Sequence, residues 1–215
     1  MKHTGKLNKL GAGLHLFMVI GAILPLLGAG CMGKVSKSEP LGCMIRGDLT
    51  CELGKAPIIS VTITNRTNTD IYLVGSLDGS EGGWRYPYCY FEVTGPDGKI
   101  LGKLTHRQCG NMNGLREKDF MKVPPGSTFN PYQFIDDLGF FYSVRLNPVT
   151  FPTTGEYHIR FVYSTKSGDI AEWAGDRYEG NIKELRSMLR QVPKVEIASN
   201  EIKITVVASR LPIAK

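Results

Sequence analysis

The stretch Thr153-Thr154-Gly155-Glu156-Tyr157-His158-Ile159-Arg160-Phe161-Val162-Tyr163 decides how the chain folds. After a turn-forming start, Tyr157, Ile159, Phe161 and Tyr163 alternate with His158, Arg160 and Val162. That is the period of a β-strand with one face in a core. The same period recurs on both sides. Ile59, Val61 and Ile63 alternate with Ser60, Thr62 and Thr64 within Pro57 to Asn65, and Ile202, Ile204 and Val206 alternate with polar partners near the end of a strand expected over Lys194 to Val207. Further strands are expected from Ile71 to Val74 and from Tyr86 to Val93, and Val123 to Phe129 is a turn feeding a strand up to about Phe134, with a first edge element around Gly42 to Leu53. Gly95-Pro96-Asp97-Gly98 is a turn between the Tyr86–Val93 run and Lys99 to Leu104, so these fold as a hairpin. The class is all-β.

One segment breaks the pattern. Asn181-Ile182-Lys183-Glu184 has the form of a capping box, and Tyr178, Ile182, Leu185 and Leu189 recur at helical spacing until Pro193 stops them. The reading is a short amphipathic helix over 181–191, inserted between the last two strands. Its polar face carries Lys183, Arg186 and Arg190, a solvated face or a basic binding surface.

The 215 residues carry a formal charge of +6, but Lys2, Lys6 and Lys9 lie in a first 30 residues free of acidic groups. The remainder is near balance, so nothing marks a nucleic-acid footprint. That opening segment has a basic start, an apolar run from Leu10 to Leu27, and then Gly28-Ala29-Gly30-Cys31. It resembles the signal of bacterial lipoproteins, in which a cysteine after small residues becomes the lipidated N-terminus. The resemblance implies a signal peptide over 1–30, lipidation at Cys31, a polar tether over 31–40 and attachment to a membrane of the bacterial cell envelope. Ordinary signal cleavage and an uncleaved anchor are the other readings of the segment. All three place the domain, 41–208 with a tail at 209–215, outside the cytoplasm.

Setting Cys31 aside leaves Cys43, Cys51, Cys89 and Cys109, an even number suited to two disulfides in an oxidising compartment. Three connectivities exist. Pairing Cys43 with Cys51 and Cys89 with Cys109 is preferred because each pair brackets a short segment. The spacings lack the close pairs of a zinc site, and after the signal only His106 and His158 remain, so no metal or cofactor is expected.

Catalytic constellations are absent from the sequence. Asp136, Asp137 and Asp169 have no Gly-x-Ser-x-Gly elbow to make a triad with, and Glu81, Asp136, Asp137 and Glu172 near expected loops are carboxylates for glycoside hydrolysis in no greater number than any soluble domain offers. Exposed aromatics are the better lead: Trp84, Tyr86 and Tyr88 beside the glycine-rich Gly75–Gly83 loop, Phe140 and Phe141 in another connection, and Trp173 before the helix. They form a loop-borne binding surface or plug the ends of the core.

Gly155-x-Tyr157 resembles the tyrosine corner of immunoglobulin-like sandwiches, in which the phenol bonds back to nearby backbone. Together with Ile59–Asn65, Val123-Pro124-Pro125-Gly126 and Ser199–Ile204, it makes residues 41–208 similar to bacterial extracytoplasmic immunoglobulin-like domains. This implies an antiparallel β-sandwich and a non-enzymatic binding or envelope-structural lipoprotein with a protein or glycan partner. A protease inhibitor using Gln108–Lys118 as its loop, and an enzyme whose cleft holds carboxylates of shifted pKa, are the alternatives.

Overall fold

The alternation around Tyr157 becomes the longest strand among the described residues. A computed structural model describes residues 39–101, 113–133, 146, 148–174 and 180–209, which fall within one compact unit, Ser38–Lys215. The strands in chain order are β1 (Leu41–Gly47), β2 (Thr50–Glu52), β3 (Ile59–Asn65), β4 (Ile71–Val74), β5 (Tyr88–Thr94), β6 (Phe120–Val123), β7 (Thr128–Phe129), β8 (Gly155–Ser164), β9 (Glu196–Ala198) and β10 (Ile202–Val207). The helices are α1 (Ala171–Ala174) and α2 (Ile182–Arg190). The chain is mostly β with few helices.

Among the described residues three sheets form: β1-β3-β7, β2-β10-β8-β5 with β9 beside β8, and the pair β4-β6. All pairings are antiparallel except β2 with β10. One core draws on all three sheets. Leu41, Ile45, Val61 and Ile63 meet Val93, Tyr157, Ile159, Phe161, Tyr163 and Ile204, with Ile71 and Leu73 from the third sheet. These are the inward residues of the alternating runs, which is why the alternation exists. A second apolar cluster gathers Leu115, Phe120, Trp173, Leu185, Leu189 and Val192 under α2.

The predicted helix over 181–191 is α2. Asn181 caps it, its Oδ1 accepting from Lys183 N at 3.0 Å, and Leu185 and Leu189 are buried beneath it. Other expectations change. The single edge element over 42–53 divides into β1 and β2, which join different sheets. The last strand divides into β9 and β10. Its break holds Ser199, whose Oγ accepts from Phe161 N at 2.9 Å, and Asn200, whose Oδ1 accepts from Ile45 N at 2.9 Å and whose Nδ2 donates to Ile45 O at 3.2 Å. The strand is interrupted so that one amide can join β1 to the β8 sheet. The hairpin around Pro96 keeps only the bridge Thr94–Ile100 on its second arm, and 102–112 lie outside the described residues.

A candidate binding cleft along strand β3

Strand β3 is paired along its full length on one side only. On the other, Asn65 N donates to Ser127 O at 3.0 Å, Asn65 O accepts from Gly126 N at 2.9 Å, and Ile63 stands opposite Phe129. Because strand residues alternate direction, the N–H and C=O of Val61 and Ile59 turn to this same side. Carried one step on, the register would set Val61 against Pro131, which has no N–H to give. The Pro131 carbonyl is already taken by Ser76 N at 2.7 Å. The chain turns there instead, with Asn130 Oδ1 accepting from Tyr132 N at 2.9 Å and Asn130 O from Gln133 N at 3.2 Å. Among the described residues, the outward backbone of Ile59 and Val61 therefore has no ladder partner.

A cleft of about 520 Å³ lies along this bare edge, between Ile58–Val61 and Phe91, Asn130, Tyr132, Gln133 and Leu146. Aromatic rings make one wall: Phe91 stacks on Tyr132 with centroids 6.2 Å apart, and both rest on Phe161 at 5.1 and 5.7 Å. Ile58 is 79% exposed at its mouth. The Tyr132 hydroxyl is buried without a hydrogen-bond partner among the described residues, and burial pushes its pKa well up. The cleft thus offers an apolar wall, two side-chain amides and the main-chain groups of Ile59 and Val61, which have no ladder partner among the described residues.

The residues singled out in the sequence are distributed differently. Tyr86 and Tyr88 stack with centroids 4.0 Å apart, Tyr86 lies 5.7 Å from Trp173, and Trp84 is 37% exposed. Trp173 itself is fully buried, its Nε1 donating to Ser167 O at 3.1 Å, so it supports the fold from inside. The Gly75–Gly83 loop is not a surface loop over most of its length: Leu77, Asp78 and Ser80 are buried, and fully buried Arg85 follows, donating to Asn113 O. Phe140, Phe141, Cys31 and Cys109 lie outside the described residues. Cys43, Cys51 and Cys89 are free thiols in the structure. Cys43 sits in β1, Cys51 in β2 and Cys89 in β5, with no bond joining Cys43 to Cys51. Burial pushes the Cys43 thiol up to about 12 and Cys89 well above its ordinary value, so neither is a ready nucleophile.

Tyr157 is fully buried, and its hydroxyl donates to Thr153 O at 2.7 Å while accepting from Thr153 N at 3.2 Å. His158 has both ring nitrogens engaged, Nδ1 with Glu201 at 2.7 Å and Nε2 with Glu156 at 3.1 Å. No ring nitrogen is left to serve as a base. Asp78 has its pKa raised, by burial first and then by Glu81, with Arg85 opposing, but it lines none of the described clefts. Of Gln108–Lys118, residues 113–118 are described. There Arg116 is pinned to Asp119, backbone N to Oδ2 at 2.8 Å and guanidinium to Oδ1 at 2.7 Å. Among the described residues no three His, Cys, Asp or Glu side chains gather as a metal site, and no helix is long and apolar enough to cross a membrane.

No family model, curated protein or solved structure matches the chain. An extended polypeptide is the ligand that satisfies a row of alternate N–H and C=O groups, and an apolar wall beside them takes every second side chain of such a segment.

Proposed function

We propose that the protein is a non-enzymatic binding lipoprotein of the bacterial cell envelope, tethered through Cys31, whose immunoglobulin-like sandwich captures an extended peptide segment along β3. The observation that carries this reading is the half-paired edge at Ile59 and Val61 beside the Phe91–Tyr132 wall. An added strand gains main-chain bonds of about 0.5–1.5 kcal/mol each. Specificity comes from the side chains seated against Phe91, Tyr132 and Leu146. The tether rests on the basic-apolar-small pattern that ends at Cys31. What supports the sandwich is a core drawn from residues of all three sheets and the Tyr157-to-Thr153 bond, the contact a tyrosine corner makes.

The test is a selection of random peptides against the full chain in detergent micelles, with binding sites mapped by amide protection. The reading expects selected peptides of alternating apolar character that protect Ile59 and Val61, and that lose binding when alternate peptide amides are N-methylated. Peptides that bind elsewhere, or that tolerate N-methylation at every position, would refute it.

A further inference from the structure

We infer that a second cleft, between the C-terminal end of α2 and the turn at Gly168–Ile170, is an anion site that takes a phosphate group. It encloses about 480 Å³ and is lined by Gly168, Asp169, Ile170, Arg186, Leu189, Arg190 and Lys194. Nothing in this inference depends on the strand-edge reading, and either stands if the other fails.

Among the described residues, three cations line this cleft with one carboxylate. Arg186 and Arg190 are four residues apart on α2, so their side chains rise from the same face, where like charges repel. Both are exposed, and among the described residues neither forms an ion pair. Asp169 does not neutralise them by contact: its Oδ1 accepts from Ala171 N at 3.0 Å and caps α1. Lys194 is held in place, with Nζ donating to Leu189 O at 2.9 Å and lying 5.4 Å from the centre of the Trp173 ring.

A helix end attracts cations for its own sake, and Lys194 satisfies that need by capping a carbonyl of the last turn. The end carries only about half a negative elementary charge. One lysine offsets it, which leaves Arg186 and Arg190 with Asp169 as the one carboxylate lining the cleft among the described residues, and that carboxylate caps α1. The apolar walls of Ile170 and Leu189 keep the field of these cations focused in the concavity. Desolvation draws the Lys194 pKa down to about 8, whereas its carbonyl and the Trp173 ring both favour the ammonium. It stays charged at neutral pH, and an incoming anion strengthens that preference. Two guanidinium forks and an ammonium lining one cleft match the several oxygens of a phosphate better than those of a carboxylate.

The experiment follows the Trp173 indole N–H, whose hydrogen bond to Ser167 O lies beside the cleft, by ¹H–¹⁵N NMR of the full chain in detergent micelles. Titration with pyrophosphate is expected to move this signal saturably, beyond any change from sodium chloride at equal ionic strength. The R186Q/R190Q variant, altered only at exposed positions, is expected to keep the folded spectrum and to bind at least tenfold more weakly. Parallel flotation with phosphatidylglycerol and phosphatidylcholine vesicles separates the sources. Binding to phosphatidylglycerol that pyrophosphate displaces assigns a lipid headgroup, and saturation by pyrophosphate without vesicle binding assigns a soluble phosphate. The inference is overturned if neither ligand binds saturably, or if R186Q/R190Q binds as the natural chain does.

Discussion

Replacing Tyr163 by Phe removes one oxygen from the centre of the protein and exposes how the small β4-β6 sheet is fastened to β8. Tyr163 is fully buried, and its hydroxyl donates to Val74 O at 2.8 Å and accepts from Val74 N at 3.4 Å. Val74 is also fully buried, and it turns these two groups away from its β6 partner, so no other strand takes them. Tyr72 N, on the same edge, uses Gln191 O at 3.4 Å instead. The phenol therefore terminates a strand edge inside the core. Without it a buried N–H and a buried C=O are stranded, each at about 1–3 kcal/mol, with the weaker 3.4 Å bond at the low end. The expected loss is about 2–4 kcal/mol, or roughly 5–15 °C in Tm for a unit of this size. Tyr157→Phe is the internal control. Its partner Thr153 is exposed, so water replaces much of what is lost, and the cost should stay near about 1–2 kcal/mol. Urea unfolding of both variants, followed by tryptophan fluorescence of the full chain, reads the difference. If Tyr163→Phe costs no more than Tyr157→Phe, the argument from buried, stranded backbone groups is wrong.

Three further outcomes follow from the same structure. Under native reducing conditions at pH 8, iodoacetamide should label Cys51 before Cys43, and Cys89 only after unfolding, because burial raises the first two thiols and encloses the third completely; mass mapping of a time course checks the order. His158 should titrate above its ordinary 6.5, chiefly through its hydrogen bond to Glu201. Its small contribution to stability is then fully present below that ordinary value and lost as pH rises through the raised one, and an NMR titration with the H158Q variant as reference would show both. Gly155→Ala should destabilise by about 1–3 kcal/mol in thermal unfolding, since φ is +137° there and a Cβ would lie 2.6 Å from Pro96 Cγ.

The half-buried strands were readable because their burial is written as alternation. Tyr157 to Tyr163, Ile59 to Ile63 and Ile202 to Val206 each repeat an inward residue at every second place, and α2 repeats Leu185 and Leu189 on one face above a capping asparagine. What escaped is what depends on partners distant in sequence. Phe120–Val123 is too short to show a period, and it becomes β6 only because β4 lies beside it. Trp173 reads as a loop aromatic until Leu185 and Leu189 cover it. The Gly75–Gly83 loop has the composition of a surface turn, yet it is buried over most of its length and bonds inward: Ser76 N donates to Pro131 O at 2.7 Å and Ser80 Oγ accepts from Leu77 N at 2.9 Å. That β7 stops pairing with β3 after Ile63 follows from one register and one proline, Pro131, and no local pattern announces it. The basic face of α2 was visible as Arg186 and Arg190, but Lys194 and the turn at Gly168 that close the cleft were not.

Amide hydrogen exchange of the unliganded full chain in detergent micelles, resolved at single residues along β3, tests the central claim most directly. The account predicts slow exchange at Ile63 and Asn65, whose outward N–H groups lie in the β7 ladder or its continuation, and markedly faster exchange at Ile59 and Val61, which then slow on addition of a selected peptide. Equal protection of all four amides in the free protein would mean that the edge is already filled, and would contradict capture of a partner strand there.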